Sequence, residues 1–254
     1  MRNSEPATER RASPRLHEVR EGDRAIPATE ALGTPPEVYG ERLIARPSGW
    51  WRRWDPYRSK LSAALVKGYR GPLPQPGERW LYLGAATGTT ASHLADLLGP
   101  DGALYAVEMS LRPFARLYRL AERYPNLWPI LADARRLDDY AGWVPPVDGV
   151  YSDVAQPDQV GIARRNAELF LRDGRPLLLV LKLSSLGRDR SPEMLVERAV
   201  SELRPFRVTS SPLALEPFHR QHRFLTARLP GPAVTSKRSP TATPPRRGPV
   251  ARAR

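Results

Sequence analysis

The chain contains 254 residues, and its 40 lysines and arginines outnumber its 27 acidic residues, which gives a formal net charge of +13. The lack of cysteine excludes disulfide bonds and thiolate metal sites, and the four histidines do not have the spacing of a zinc site. No apolar run approaches the roughly 20 residues of a membrane-spanning helix, and residues 1–24 lack the apolar segment of a signal peptide. These features predict a cytoplasmic protein with one large domain and a polyanionic partner.

The two ends of the chain differ in composition from its middle. Residues 1–36 balance six arginines against six acidic residues without an apolar pattern, which predicts a disordered or poorly ordered N-terminal tail. Residues 37–58 are predicted to be a short segment that packs on the core, and residues 59–229 form the main domain. Residues 230–254 hold six basic residues, six prolines and no acid. This composition predicts a disordered basic tail with non-specific affinity for phosphate backbones.

The main domain alternates between helical and strand patterns. A helix is predicted at 59–68, and Gly68 ends it. Strands are predicted at 79–83, 103–108, 127–131, 149–153, 176–181, 207–210 and 222–228. Helices are predicted between them at 89–98, 112–124, 159–171 and 192–203. The alternation indicates an α/β fold with a mostly parallel sheet and helices on both faces. The last two strands have no long helix between them and are expected to form an antiparallel hairpin at the sheet edge.

A glycine-containing loop between the first of these strands and the next helix is the most informative segment. Residues 80–94 are W-L-Y-L-G-A-A-T-G-T-T-A-S-H-L. Gly84 and Gly88 allow the backbone to approach a ligand, and the first helical N–H groups are free to bind it. The loop has neither the G-x-G-x-x-G of dinucleotide-binding proteins nor the G-K-[ST] of phosphate loops. The next strand ends in Glu108, where an acid can accept a ribose diol. The pattern predicts a site for a nucleoside-bearing cofactor.

Several polar residues follow directly after predicted strands. Because ligands of open α/β sheets bind at the carboxyl ends of the strands, these residues are expected to share one rim. They are Gly84, Glu108, Asp133, Asp153 and Lys182. Two of them have an alternative interpretation. Asp133 has the position of a helix N-cap, and Glu108 that of an exposed carboxylate at a strand end.

The balance between the two basic residue types carries information. Only four of the 40 basic residues are lysines, at positions 60, 67, 182 and 237. Where this chain keeps lysine, the position can require a compact ammonium that is able to release its proton, which a guanidinium does not do. The alternative interpretation is that individual lysines are retained by chance.

Seven segments together resemble the fibrillarin family, in particular the archaeal fibrillarin-like RNA 2′-O-methyltransferases. They are V-Y-G-E-R-L at 38–43, R-S-K-L at 58–61, L-Y-L-G-A-A-T-G-T-T at 81–90, Y-A-V-E at 105–108, D-V-A-Q-P at 153–157, Lys182, and E-P-F-x-x-x-H at 216–222. They occur in family order between residues 38 and 228. The resemblance implies a Rossmann-like class I methyltransferase fold with a mostly parallel seven-stranded sheet and an antiparallel edge hairpin.

The resemblance implies S-adenosyl-L-methionine as the cofactor. Gly84, Thr89 and Thr90 would surround its methionine portion, Glu108 would bind its ribose, and Asp133 with Ala134 would meet the adenine edge. The full set of implied cofactor residues is Gly84, Ala85, Thr89, Thr90, Glu108, Asp133, Ala134, Asp153 and Gln156.

Family members use a Lys–Asp–Lys–His group for catalysis, and the resemblance assigns it to Lys60, Asp153, Lys182 and His222. Methylation of a ribose hydroxyl requires in-line approach to the sulfonium carbon and removal of a weakly acidic proton. Lys182 would serve as the base, because burial and the ammonium of Lys60 both favour its neutral amine. Asp153 would orient it, and His222 would hold the ribose or assist proton transfer. The alternatives are that Lys60 faces solvent on its helix and that His222 is an ordinary strand-edge residue.

The resemblance also implies partners. Relatives act in a box C/D ribonucleoprotein, where a guide RNA pairs with the target rRNA or tRNA. A Nop-domain scaffold holds the enzyme there, and a K-turn-binding ribosomal-protein homologue completes the complex. No membrane is involved.

Two other functions remain open. One is a stand-alone methyltransferase with a protein or small-molecule substrate, and the other is a non-catalytic RNA-binding or assembly protein on the same fold.

The sequence departs from the family pattern at several points. Ser152 occupies a position where an acid is usual, and Leu183 one where a small polar residue is commoner. The N-terminal β subdomain of relatives is expected to be shortened, since residues 1–36 show little strand pattern. The run G-W-W-R-R-W-D-P at 49–56 has two interpretations. Its tryptophans either pack this segment on the core, which is the favoured one, or stack on RNA bases.

Overall fold

The computed structural model describes residues 13–187 and 190–229. The predictions for residues 1–12 and for the basic tail at 230–254 therefore lie outside the described residues. Across the part of the chain that is described, none of the helices combines the length and apolar character that crossing a bilayer requires.

The N-terminal part of the chain forms a separate four-stranded antiparallel sheet. Its strands are β1 (Leu16–Glu21), β2 (Arg24–Glu30), β3 (Leu43–Arg46) and β4 (Gly49–Arg53), in the order β1-β2-β4-β3. The prediction of a disordered or poorly ordered tail is thus wrong for residues 13–36, which contain β1 and β2. In β1 the exposed Glu18 and Arg20 alternate with the half-buried His17, Val19 and Glu21, as in an antiparallel strand with one solvated face.

The tryptophans of the 49–56 run mostly pack within the protein. Trp54 is fully buried and stacks on His93, with ring centroids 4.8 Å apart. Trp51 stacks on His17 of β1, with ring centroids 3.7 Å apart. The interpretation that this segment packs on the core is confirmed for Trp54, whereas Trp51 packs within the N-terminal sheet and Trp50 is exposed.

The main domain begins with a helix and continues as alternating strands and helices. The helices are α1 (Lys60–Val66), α2 (Thr89–Leu98), α3 (Leu111–Ala121), α4 (Gln159–Phe170), α5 (Leu183–Leu186) and α6 (Pro192–Glu202), with a 3-10 turn at Leu137–Asp139. The strands are β5 (Arg79–Leu83), β6 (Ala103–Glu108), β7 (Leu127–Leu131), β8 (Gly149–Ser152), β9 (Pro176–Lys182), β10 (Arg207–Val208), β11 (Leu213–Ala214) and β12 (His222–Arg228).

The large sheet has the predicted mixed topology. Its strand order is β10-β12-β9-β8-β5-β6-β7, with parallel pairing from β9 to β7. β12 runs antiparallel to β9, and β10 and the unpredicted two-residue β11 both pair antiparallel with β12. The chain leaves β5 toward β6 and later returns to its other side as β8. This reversal makes the carboxyl ends of β5 and β8 the switch point, where α/β sheets bind ligands.

Three predicted elements are shorter in the structure by two residues or more. The helix predicted at 59–68 is α1, at Lys60–Val66. The helix predicted at 112–124 ends at Ala121, since the N–H groups of Arg123 and Tyr124 donate to the carbonyls of Leu120 and Ala121, three residues back. Such bonds mark the tightened last turn of a helix. The strand predicted at 207–210 is only the two-residue β10.

A buried arginine joins the two sheets. The guanidinium of Arg52, in β4, is fully buried and donates to the carboxylates of Glu41 at 2.6 Å and Asp96 at 2.7 Å. It also donates to the hydroxyl of Tyr124 at 2.8 Å and to that of Ser92 at 2.9 Å. Because Ser92 and Asp96 lie on α2, this network ties the N-terminal sheet to the helix that follows the glycine loop.

Candidate active site

An open cleft of about 300 Å³ lies at the carboxyl ends of the central parallel strands. Six of the nine residues that the sequence assigned to the cofactor line it. They are Gly84, Glu108, Asp133, Ala134, Asp153 and Gln156. Four of the five residues of the predicted rim therefore line one cleft, and Lys182 is the one that does not.

The glycine loop is held tightly against the neighbouring strands. The N–H groups of Gly84 and Ala85 both donate to the Val107 carbonyl, at 2.9 and 3.1 Å. Gly84 has a φ of 81°, and a Cβ added there would lie 2.9 Å from the Asp153 carbonyl oxygen. Only glycine fits this position, so the end of β5 approaches the loop after β8 with no side chain between them.

Glu108 lines the cleft and also fastens its loops. Its carboxylate accepts the backbone N–H of Ala86 at 2.9 Å and that of Ser110 at 2.8 Å. The interpretation as an exposed strand-end carboxylate is wrong, because the residue is buried. A carboxylate has about four lone-pair sites, so two remain for hydroxyl groups in the cleft.

Asp133 lines the cleft and also holds a turn. Its carboxylate accepts the backbone N–H of Arg135 at 2.9 Å and the Arg135 guanidinium at 2.6 Å. The hydrogen bond from Arg135 lowers the pKa of Asp133. The interpretation of Asp133 as a helix N-cap is wrong, because Arg136 is the N-cap of the 3-10 segment that follows.

Three assigned cofactor residues do not line the cleft. Ala85 is buried in the core beneath the loop, and Ala86 lines the cleft in its place. Thr89 is the first residue of α2 and is partly exposed. The hydroxyl of Thr90 is turned away and donates to Ser59 at 3.0 Å, and Ser59 is the N-cap of α1. Thr90 therefore fixes the start of α1, on which Lys60 lies.

Three of the four assigned catalytic residues surround the carboxylate of the fourth, Asp153. Lys60 Nζ lies 2.9 Å from Asp153 Oδ2, so the solvent-facing interpretation of Lys60 is wrong. Lys182 ends β9 and is paired in register with His222, the first residue of β12. Since β12 lies between β9 and β10, His222 is not on an edge strand. The charges of Lys60, His222 and Lys182 all act on Asp153.

Burial disfavours the charged forms of Asp153 and His222, two members of the cluster formed by Lys60, Asp153, Lys182 and His222. Burial raises the pKa of Asp153, and Lys60, His222 and Lys182 oppose this rise. Burial and the two ammonium groups lower the pKa of His222 against the Arg220 carbonyl and Asp153, which raise it. His222 Nδ1 lies 2.7 Å from the Arg220 carbonyl, which can only accept, so Nδ1 carries the proton. Nε2 then has a free lone pair for a substrate hydroxyl.

Gln159 has a part in the site that its sequence pattern, the start of a helix, does not indicate. Its fully buried side chain accepts the Lys182 N–H at 2.8 Å and donates to the Lys182 carbonyl at 3.1 Å. It also donates to the Gln156 carbonyl at 3.2 Å. Its position two residues after the D-V-A-Q-P segment was the available signal.

His219 is a second residue of the site that was not predicted, and it occupies a variable position of the E-P-F-x-x-x-H segment. Its Nε2 donates to the Pro56 carbonyl at 2.9 Å, and its ring centroid lies 5.9 Å from that of His222. Burial and the nearby Lys60 lower the pKa of His219 to about 4. This neutral imidazole ties the loop before β12 to the segment before α1.

The two departures from the family pattern lie outside the cleft. Ser152 is fully buried in β8, and Leu183 is buried at the start of α5. Neither belongs to the residues that line the cleft. The cluster chemistry does not depend directly on either side chain.

Comparison with known proteins agrees with this geometry. The family model described as Fibrillarin matches residues 9–230. The fibrillarin-like rRNA/tRNA 2′-O-methyltransferase of Aeropyrum pernix is 40% identical over 211 residues, which cover 83% of this chain and 90% of that protein. The crystal structure of Aeropyrum pernix fibrillarin with natively bound S-adenosyl-L-methionine superposes with a TM-score of 0.77 at 38% identity, covering 85% of this chain and 94% of that one. A fibrillarin/Nop5p complex superposes with a TM-score of 0.76 at 35% identity, covering 86% and 99%.

Proposed function

The chain belongs to the fibrillarin family, and we propose that it transfers a methyl group from S-adenosyl-L-methionine to the 2′-hydroxyl of ribose in RNA, with rRNA as the substrate and tRNA as a further one. The observation that carries this proposal is that Asp153 belongs to both parts of the site. It lines the cleft and is ion-paired with Lys60 in the catalytic cluster. A ribose 2′-hydroxyl bound at the cluster would thereby lie next to the methyl-bearing end of the cofactor.

The cleft residues fit this cofactor. Gly84 lines the cleft without a side chain, and the methionine portion would lie against its backbone. Glu108 keeps lone pairs for the two ribose hydroxyls, and Asp133 with Ala134 lies where the adenine edge would be. When bound, the cofactor supplies an electrophilic methyl group on a sulfonium.

The residues of the cluster then have distinct tasks. The ammonium of Lys182 has no hydrogen-bond or ion-pair partner among the described residues, so its deprotonated form is free to take the proton of the 2′-hydroxyl. His222 Nε2 accepts a hydrogen bond from the ribose. Asp153 stabilises the positive charge that Lys182 acquires, and Lys60 holds Asp153 in place. Positioning of the hydroxyl contributes much of the rate, and the base contributes the rest.

The proposed setting is a ribonucleoprotein. The fibrillarin/Nop5p complex supports a Nop-domain scaffold as partner, because its fibrillarin superposes on most of this chain. Within that assembly a box C/D guide RNA would select the nucleotide, and a K-turn-binding protein would join through the RNA. The net charge of +13 suits such an RNA partner. An rRNA or tRNA substrate implies that the protein works inside the cell.

The decisive assay is methyl transfer to a guide-paired RNA in the presence of a reconstituted scaffold. We expect label from the methyl group in the target RNA, at the guided nucleotide. A target with a 2′-deoxy sugar at that nucleotide is the control and should remain unlabelled. Label in a protein or small molecule would favour the stand-alone enzyme, and RNA binding without transfer would favour the assembly protein.

Replacing Glu108 by alanine should weaken cofactor binding by about 1–3 kcal/mol, the range for a lost hydrogen bond to a buried charged group. The reason is the proposed contact with the ribose hydroxyls. Isothermal titration calorimetry measures the effect, with the exposed Glu202→Ala as the matched control. Because Glu108 also holds Ala86 and Ser110, a cofactor analogue without the ribose hydroxyls should lose less affinity. Equal losses for both ligands would refute the diol contact.

A further inference from the structure

We propose that Gln159 is a positioning residue for methyl transfer: its side-chain amide fixes the peptide of Lys182 and thereby sets where the Lys182 amine meets the ribose hydroxyl. The inference rests on the proposed function of Lys182. Gln159 itself does not line the cofactor cleft and has no assigned part in the chemistry.

The sheet leaves Lys182 without a strand neighbour on one side. Pairing between β8 and β9 ends at Ser152 and Leu179, so the last residues of β9 extend beyond β8. On the other side β9 stays paired with β12 as far as Lys182 and His222. The backbone groups of Lys182 that face the β8 side therefore need another partner, because buried peptide groups are costly without one.

Gln159 supplies that partner in place of a strand. Its Oε1 accepts the Lys182 N–H at 2.8 Å, and its Nε2 donates to the Lys182 carbonyl at 3.1 Å. A primary amide offers the same donor and acceptor as a peptide group. The fully buried side chain thus continues the sheet by one residue, at the point where a catalytic side chain leaves it.

The side-chain amide of Gln159 also binds a residue of the cofactor cleft. Nε2 of Gln159 lies 3.2 Å from the Gln156 carbonyl, and Gln156 lines the cleft. One side chain thereby fixes the amine that takes the proton relative to the loop that borders the cofactor. Since displacements of about 1 Å cost up to 100-fold in rate, loss of this link should slow the chemical step more than it weakens cofactor binding.

The test is a double-substitution cycle in the reconstituted RNA-guided assay, read as single-turnover rates at saturating cofactor. Gln159→Met removes all three side-chain hydrogen bonds at nearly the same volume and should slow transfer by about 10-fold. In a Lys182→Arg background the same change should add little, because no base remains to be positioned. Full additivity, or a Gln159→Met rate equal to that of the parent, would overturn the inference.

A second variant tests the donor itself. In Gln159→Glu, the ionised carboxylate would face the Lys182 and Gln156 carbonyls without a hydrogen to donate. Its protonated form restores one hydrogen-bond donor. The ratio of its rate to the parent rate should therefore rise as the pH is lowered. Asn166→Asp is the matched control, since Asn166 is a buried amide in the same helix that donates to the Ala134 and Ile162 carbonyls. It should not show this dependence, and an equal response in both variants would indicate a general effect on folding and overturn the positioning role.

The parent protein separates the two proposals. If the parent transfers no methyl group to guide-paired RNA, the proposed function fails, and the role of Gln159 fails with it. If the parent is active and the cycle shows no coupling between Gln159 and Lys182, only the positioning role fails.

Discussion

Replacing Lys182 by arginine should lower the rate of methyl transfer by about 100-fold or more, the usual contribution of a general base. Arginine keeps the charge and much of the volume, so the fold and cofactor binding should survive. It cannot act as a base near neutral pH, because its pKa is above about 12. The chain uses arginine for most of its positive charges and keeps lysine at only four positions, which is a second reason to expect that arginine does not substitute here.

Lys67 provides an internal control. It is the C-cap residue of α1, where a cation interacts favourably with the helix dipole. Lys67→Arg should therefore leave the single-turnover rate unchanged. If Lys182→Arg were nearly as fast as the parent, Lys182 would contribute only charge, and the proton would leave by another route such as His222 Nε2.

The main domain could be predicted closely from the sequence because its patterns are strong. β5, β6, β7 and β12 have the predicted bounds. Parallel strands that are buried on both faces give continuous apolar runs, and helices between them give a different period. Since ligands of such sheets bind at the carboxyl ends of the strands, the same patterns also locate the cleft.

The N-terminal sheet could not be predicted in the same way. Its strands carry charged residues, and the reason is non-local. Arg52 is the fourth of the five residues of β4, where a charged side chain indicates an exposed position, yet it is fully buried against Glu41 and Asp96. Asp96 is 44 residues away along the chain, and no local pattern indicates that the two will pair.

Within the site, the sequence located residues with ionisable side chains and missed residues whose side chains hydrogen-bond to main-chain groups. Lys60, Asp153, Lys182 and His222 have chemistry that a motif can indicate. Gln159 and His219 act by binding main-chain groups of Lys182 and Pro56, respectively. The sequence also does not predict the direction in which a side chain of the first helical turn points. Thr90 was therefore assigned to the cofactor, although its hydroxyl donates to Ser59.

Removing the buried arginine should have the largest effect on stability. Arg52→Met leaves the carboxylates of Glu41 and Asp96 in the interior without their guanidinium, and breaking a buried ion pair in this way costs about 3–5 kcal/mol. Urea unfolding measures the loss. Arg53→Met is the matched control, because Arg53 is partly exposed and pairs with Glu21 at 2.7 Å. A partly exposed pair of this kind contributes about 1 kcal/mol or less.

The loss in Arg52→Met should also depend on pH, in a direction that follows from Asp96. Burial raises the pKa of Asp96 even though Arg52 opposes the rise. Without Arg52 the pKa rises further, so near neutral pH the folded variant binds more protons than its unfolded chain. Stability then increases as the pH falls, and the difference between variant and parent should shrink from about pH 8 to about pH 5. Burial is the main cause that lowers the pKa of His93 and Arg52 is a smaller one, so the loss of Arg52 acts on His93 in the same direction as on Asp96. A difference that stays constant over this range would mean that other groups already compensate the two carboxylates, and that Arg52 is not what holds the N-terminal sheet on the main domain.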